Sequence, residues 1–387
     1  MSKLKNKLKV AVLFGGRSGE HEVSLVSAQS VLDNLDKKKY EVIPIGITKQ
    51  GKWIAGDKSM KLLKSNNIPK KSNMIIPAEP TDNLINTSSK QDPNPSPLTS
   101  TGEGILESAT SQIDILFPVL HGPYGEDGTI QGFLELTGLP YVGCGVLGSS
   151  VCMDKVMQKK VIESEDIKQT PYIWFWSKDW QARKDEILDE LSLAYPVFVK
   201  PANLGSSVGI SKADNREELI QAAEQALQYD RKIIIEQGVK NPREIEVAVL
   251  GNQEPKASVP GEIIPSNEFY DYDAKYVDGK SDAKIPADLM DEEVKQIQEM
   301  AIKAYKALDC EGMARVDFLL DEDKEIYLNE LNTIPGFTSI SMYPKLWEAT
   351  GISYPELLDE LIELAIERAQ EKKKLKIEYT PKEEWYI

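Results

Sequence analysis

Hydrophobic positions along the chain first gather in a short run, Val10 to Phe14, set between a basic start (Lys3, Lys5, Lys7, Lys9) and the pair Gly15-Gly16. A run of that length predicts a first β-strand over Lys9–Phe14 and is too short for the apolar segment of a secretion signal. Past the glycines, Leu25, Ala28, Leu32 and Leu35 share one helical face, and a strand-like stretch, Glu41–Thr48, follows. Periodicity is lost from about Lys58 to Gly104, where Ser, Asn, Thr and Pro accumulate; this stretch reads as a partly flexible surface insertion. Order returns with Ile113–Leu120, apolar enough for a strand covered on both faces of a parallel sheet.

The pattern then changes. A strand over Tyr195–Lys200 leads into the glycine loop Gly205–Gly209 and a helix after Asp214 that carries Leu219, Ala222, Ala223, Ala226 and Leu227, with Asp214 and Glu217 at capping-box spacing. Strand Lys232–Gln237 closes this unit. In Glu244–Leu250, Glu244 and Glu246 alternate with Ile245, Val247 and Val249, so one face of that strand is wet or functional. A long helix over Asp291–Leu308, two strands (Met313–Leu320 and Glu325–Asn332) joined by a turn at 321–324, and a last helix from Pro355 complete the chain. With no repeat period, the pattern predicts an α/β unit followed by two α+β units. The divisions expected are 1–143, with the insertion at about 58–104, then 144–238 and 239–387.

Composition narrows the function classes. A chain of 387 residues with 41% hydrophobic positions can fill two to three domain cores. A net charge of −16 argues against a nucleic-acid or anionic-lipid surface, and no stretch approaches the roughly 18 apolar residues of a membrane span. Cys144, Cys152 and Cys310 show no metal-binding spacing, and so few thiols in so long a chain suit a reducing cytoplasm.

In Met313–Leu320, Arg315 and Asp317 lie two apart and share a face, opposite Val316, Phe318 and Leu320. Glu330 and Asn332 share a face of the neighbouring strand, so Asp317, Glu330 and Asn332 can converge as the all-oxygen set that Mg²⁺ favours. Taken singly, such residues more often form a solvated edge with an Arg–Asp ion pair; the joint spacing favours metal binding. Lys200 stands before the Gly- and Ser-rich loop 205–209, whose backbone and hydroxyl donors can close over phosphates. His121 follows the C-terminal end of a parallel-type strand, the edge where open α/β sheets bind ligands, although a lone His is elsewhere more often structural. The loop 333–341 offers the Gly336 N–H and several hydroxyls to a carboxylate or oxyanion, or is simply a Pro-Gly turn.

Three rival readings fail on the same residues. Gly205-Ser-Ser-Val-Gly209 matches the G-x-S-x-G elbow of hydrolases, but His21 and His121 both precede the serine, against that fold's chain order. The near-Walker loop 46–52 has Trp53 where Ser or Thr must reach Mg²⁺, and 15–19 does not give G-x-G-x-x-G. Trp174, Trp176 and Trp180 are expected to pack rather than stack on a ligand.

Seven motifs in order, GGRSGEHEVSLVSA (15–28), HGPYGEDGTIQG (121–132), MDK (153–155), GSSVG (205–209), EFYDYDAKY (268–276), ARVDF (314–318) and NELNTIPGFT (329–338), resemble those of D-alanine–D-alanine ligases of the ATP-grasp superfamily. The resemblance covers nearly the whole chain outside the insertion and implies an ATP-grasp fold, in which two α+β domains clamp the nucleotide. It implies ATP and two Mg²⁺ ions, with Mn²⁺ able to substitute, and a homodimer that makes a peptidoglycan precursor. By the same resemblance Lys155 and Lys200 bind ATP phosphates, Glu236 and Val239 the adenine, and Glu244 the ribose. Asp317, Glu330 and Asn332 hold the metal. Glu20 fixes the ammonium of the first D-alanine near His121, and Ser341 the carboxylate of the second. Ser206 and Tyr276 join Glu20 in a hydrogen-bonded set, Lys275 reaches the γ-phosphate from a mobile loop over 268–280, and Arg315 with the Gly336 N–H stabilises the tetrahedral oxyanion. Tyr276 favours D-alanine over the D-lactate of depsipeptide ligases, the nearest rival activity.

Overall fold

The computed structural model describes residues 7–65, 74–75, 85–86, 113–264, 282–376 and 379. Its first unit runs β1 (Leu8–Gly15), α1 (His21–Asn34), β2 (Tyr40–Ile47), β3 (Trp53–Ala55), α2 (Ser59–Ser65), the small pair β4 (Met74–Ile75) and β5 (Ile85–Asn86), β6 (Ile115–Val119) and α3 (Thr129–Thr137). The sheet order is β3-β2-β1-β6, with β1 parallel to β2 and β6. Val10, Val12 and Phe14 pack with Leu25, Ala28 and Val31 of α1, whereas Ala11 and Leu13 pack on the other face with Ile130 and Leu134 of α3. Coverage on both faces is why β1 and β6 read as unbroken apolar runs; each such buried side chain contributes about 1.5–3 kcal/mol.

One expectation needs correction here. The stretch from Lys58 opens with an ordered helix, α2, because Met60 and Leu63 are buried against the first core. Apart from β4 and β5, the rest of that insertion lies outside the described residues.

The second unit comprises α4 (Val146–Met153), α5 (Lys155–Ser164), β7 (Tyr172–Trp176), α6 (Ser177–Asp189), β8 (Val197–Pro201), β9 (Ser211–Ala213), α7 (Arg216–Ala226) and β10 (Lys232–Gln237), in a sheet ordered β7-β10-β8-β9. The cap of α7 is Asn215, accepting from the Glu218 N–H at 3.0 Å, one residue later than the Asp214/Glu217 pair expected. Both pairs have the right spacing; the helix takes the later one. Trp180 is buried and stacks on Phe175 with ring centroids 4.9 Å apart, so packing accounts for it.

The third unit holds β11 (Arg243–Gly251), β12 (Lys256–Ala257), β13 (Gly261–Ile264), β14 (Asp282–Lys284), α8 (Asp291–Ala307), β15 (Gly312–Leu320), β16 (Ile326–Asn332), α9 (Met342–Thr350) and α10 (Tyr354–Lys373). Ile245, Val247, Val249, Ala314, Val316 and Phe318 face Ile297, Ala301 and Tyr305 of α8. The opposite face begins apolar, with Ala248, Leu250 and Met313 in the core shared with α9 and α10, and becomes polar at Glu246, Arg315 and Asp317. The site grows on that polar end.

A β-bulge decides what β16 shows to it. Phe318 pairs with Leu328 but Asp317 pairs with Glu330, so Asn329 is extra. Leu328 and Leu331, three apart, therefore both face the α8 core, and Glu330 and Asn332 turn to the polar face. Without the bulge, strict alternation from the turn would set Glu330 against Val316 and bury it among apolar side chains.

Candidate active site

A cavity of about 360 Å³ lies where the three units meet, and Glu20, His121, Lys155, Ser206, Arg315, Glu330, Asn332, Gly336 and Ser341 all open onto it. Three of them stand at the starts of helices. Glu20 caps the start of α1, Lys155 opens α5 and Ser341 precedes α9.

Glu20 is buried, and its Oε1 accepts a hydrogen bond from the Ser206 hydroxyl, tying the first unit to the glycine loop of the second. Two glycines make room for this carboxylate. A Cβ at Gly122 would come within 2.4 Å of Glu20 Oε2, and one at Gly205 within 2.9 Å. Ser206 and Ser207 both adopt left-handed backbone, φ 50° and 59°, a conformation costly for residues with a side chain and often held at binding loops.

His121 is buried with both ring nitrogens engaged. Nδ1 lies 3.0 Å from the Ile334 carbonyl and 3.5 Å from Glu126 Oε1, and Nε2 lies 3.1 Å from the Ser27 hydroxyl, which also accepts from the Phe337 N–H at 3.3 Å. A ring donating from Nδ1 and accepting at Nε2 satisfies every partner. His121 thus pins α1 to the loop 333–341 as well as lining the cavity. Burial pushes the Glu126 carboxyl up to about 7 although His121 opposes it; burial pushes His121 down, but the hydrogen bond and charge of Glu126 outweigh this and raise it. Both groups hold protons in the fold that they would release when unfolded, so their contribution to stability falls as pH rises from about 4.5 toward 7 and above. Glu126→Gln should therefore gain in melting temperature relative to the parent as pH is raised from 5 to 8; a difference independent of pH contradicts this.

Arg315 is the electrostatic hub. Its Nε and Nη2 donate to Asp317 Oδ1 and Oδ2 at 2.7 and 2.6 Å, and Nε lies 3.2 Å from Glu246 Oε2. Burial alone would favour its neutral form, but the two carboxylates more than compensate and keep it charged. The Arg–Asp pair expected of a plain strand edge is thus present, inside the cavity wall rather than in solvent. Asp317 stands behind Arg315, facing Glu330 across the ladder, while Arg315 faces Asn332. Asn332 Oδ1 accepts from the Ile334 N–H at 3.0 Å, and Glu330 Oε2 lies 3.6 Å from Lys155 Nζ. Two carboxylates and an amide oxygen suit a hard divalent cation. Among the described residues no three His, Cys, Asp or Glu side chains cluster as a complete chelate. A partial protein shell of this kind is what Mg²⁺ takes when waters and substrate phosphates fill its octahedron.

Lys155 Nζ donates to the Leu204 carbonyl at 2.8 Å, holding the glycine loop over the cavity. Lys200 sits on β8 with Nζ 3.2 Å from Glu236 Oε2 on β10. Val239 follows β10 and Glu244 lies on β11; with Lys200, Glu236 and Asp317 they stand outside the cavity lining. Lys275, Tyr276 and the loop 268–280 fall outside the described residues. In the loop 333–341, Ser341 Oγ lies 3.0 Å from the Thr338 N–H and 2.8 Å from Thr338 Oγ1, and a Cβ at Gly336 would approach it to 2.6 Å. Sequence reasoning missed Glu246, Glu126 and Lys159; only the alternation of Glu246 within β11 hinted at any of them.

Comparisons with known proteins bear on the whole chain. Residues 9–144 match the family description "D-ala D-ala ligase N-terminus" and residues 161–363 match "D-ala D-ala ligase C-terminus". The chain belongs to the D-alanine–D-alanine ligase family. It is 52% identical over 369 residues to the D-alanine–D-alanine ligase of Natranaerobius thermophilus, covering 95% of this chain and 97% of that one. Identity to the Clostridium acetobutylicum enzyme of the same name is 53%, over 94% and 99% of the two chains. The solved D-alanine–D-alanine ligase of Coxiella burnetii superposes with a TM-score of 0.78 at 37% identity, covering 95% and 96%. The VanG D-Ala:D-Ser ligase of Enterococcus faecalis gives the same score and identity over 93% and 100%. The fold is the ATP-grasp fold of this family. Relatives at about half identity bear the D-alanine–D-alanine name, so the depsipeptide reading is not favoured.

Proposed function

We propose that the chain joins two D-alanines into D-alanyl-D-alanine with ATP as the activating substrate, supplying a peptidoglycan precursor. The observation that carries this reading is the convergence of Glu20, Ser206, Arg315, Glu330, Asn332 and Ser341, drawn from all three units, on one cavity. A carboxylate resists attack by an amine because its charge repels the nucleophile and oxide cannot leave; phosphorylation to an acyl phosphate removes both obstacles. Glu20, a buried carboxylate, would take the ammonium of the first D-alanine, with His121 in the wall beside it. Lys155 and Lys200 would bind the phosphates, Glu236 and Val239 the base, and Glu244 the ribose. Asp317, Glu330 and Asn332 would hold two Mg²⁺ ions, or Mn²⁺ in their place, which neutralise phosphate charge when bound. Ser341 would hold the carboxylate of the second D-alanine, and Arg315 with the Gly336 N–H the oxyanion that forms as its amine attacks. Lys275 and Tyr276 would complete the site from the loop 268–280.

We further divide the chain at 1–143, 144–238 and 239–387, and take it to work as a cytoplasmic homodimer; three free buried thiols suit a reducing compartment. The test is ADP release with D-alanine, L-alanine, D-serine or D-lactate, with products identified by mass. D-Alanyl-D-alanine as the main product supports the reading. ADP release only with D-alanine plus D-serine would move the chain to the activity named for the VanG D-Ala:D-Ser ligase, and no ADP with any substrate would overturn it.

A further inference from the structure

We infer that Lys159 is a positioning residue for nucleotide recognition, holding Glu236 as an oriented anion so that Lys200 can leave that carboxylate for the phosphates. This deepens the nucleotide reading above and rests on it. Nothing in the sequence separates Lys159 from the adjacent Lys160 on α5, yet the structure buries Lys159 completely. Its Nζ lies 3.5 Å from Glu236 Oε2 and donates to Thr170 Oγ1 at 3.3 Å. Thr170 Oγ1 donates to the same Oε2 at 3.3 Å, and Lys200 donates to it at 3.2 Å. Three donors converge on one oxygen of the Glu236 carboxylate.

A buried carboxylate flanked by two ammonium groups holds more positive charge than it needs, so one of them can depart. Lys159 is the fixed partner: its side chain is 2% exposed, with Nζ 5.5 Å from the Tyr172 ring centre. Lys200, at the end of β8 before the glycine loop, is the more exposed of the two at 13%. Burial pushes the Glu236 carboxyl up, but Lys159 and Lys200 outweigh it and hold it below the usual range; Lys159 itself is pushed down by burial. Removing one partner of such a pair leaves the other charge uncompensated. Once Lys200 turns to the phosphates, Lys159 remains as the buried cation beside Glu236. An ionised carboxylate accepts N–H bonds and offers none, so it pairs with the 6-amino group of adenine and repels the 6-oxo group of hypoxanthine.

The test compares ATP with inosine triphosphate (ITP) in the full-length enzyme, at saturating D-alanine and Mg²⁺, for Lys159→Met, Lys159→Arg and Glu236→Gln. Lys159→Met is expected to raise KM for ATP and to cut the preference for ATP over ITP in kcat/KM about tenfold or more, while Lys159→Arg retains most of both. A lower melting temperature with KM and the ATP:ITP preference unchanged would show Lys159 to be merely structural and overturn the inference. If Lys159→Met does not fold, Lys159→Gln, which keeps a donor without the charge, gives the same comparison. An unchanged preference in Glu236→Gln would instead refute the underlying assignment of Glu236 to the base, so the two failures are distinct.

Discussion

Glu330→Gln should lower ADP release about a thousandfold while leaving the fold intact. The amide matches the carboxylate in size but removes one negative charge from the face that Asp317 and Asn332 share with it across β15 and β16. A metal ion at a transferring phosphoryl group is worth several kcal/mol of charge stabilisation, and about 1.4 kcal/mol is tenfold in rate. Stability should change little, because Glu330 is a third exposed and Lys155, 3.6 Å from it, keeps its bond to the Leu204 carbonyl. ADP release followed beside circular dichroism separates the two effects. Near-normal turnover with an intact spectrum would remove Glu330 from the metal site.

Arg315→Met has the opposite signature, a loss of both stability and activity. Methionine fills the space of the arginine stem but leaves Asp317 and Glu246 facing each other in a largely buried wall without their shared cation. Breaking a buried ion pair by removing one partner costs about 3–5 kcal/mol. Dipeptide formation should fall about a hundredfold or more, as when an oxyanion donor is lost. Arg315→Lys should recover part of the stability and little of the rate, because a point charge replaces one cation but not the two-pronged grip on Asp317. Chemical denaturation of Arg315→Met with an unshifted midpoint would show that the Asp317–Arg315–Glu246 cluster is not a stabilising unit.

The strands and long helices were legible because their burial is one-sided or two-sided in simple ways: β1 and β6 read as continuous apolar runs, and α8 as a single stripe. Asp317, Glu330 and Asn332 were legible as a set through their spacing, but the bulge at Asn329 that turns the last two toward the site was not. An extra residue in a ladder has no periodic signature. The helix α2 was lost inside a Ser- and Asn-rich stretch because its buried apolar residues are only Met60 and Leu63. Lys159 and Glu126 were invisible for a different reason. A lysine on an amphipathic helix or a glutamate in a glycine-rich turn reads as solvated, and only the packed structure shows a charged partner waiting inside, Glu236 for one and His121 for the other.

The most direct measurement is a crystal structure of the enzyme with Mg²⁺ and a non-hydrolysable ATP analogue. Oxygen atoms of Asp317, Glu330 and Asn332 are expected within about 2.0–2.1 Å of Mg²⁺ ions that also touch the terminal phosphate. Metal bound at that phosphate through other side chains, with Glu330 and Asn332 turned from it, would contradict the assignment of this face of β15 and β16 as the reaction centre.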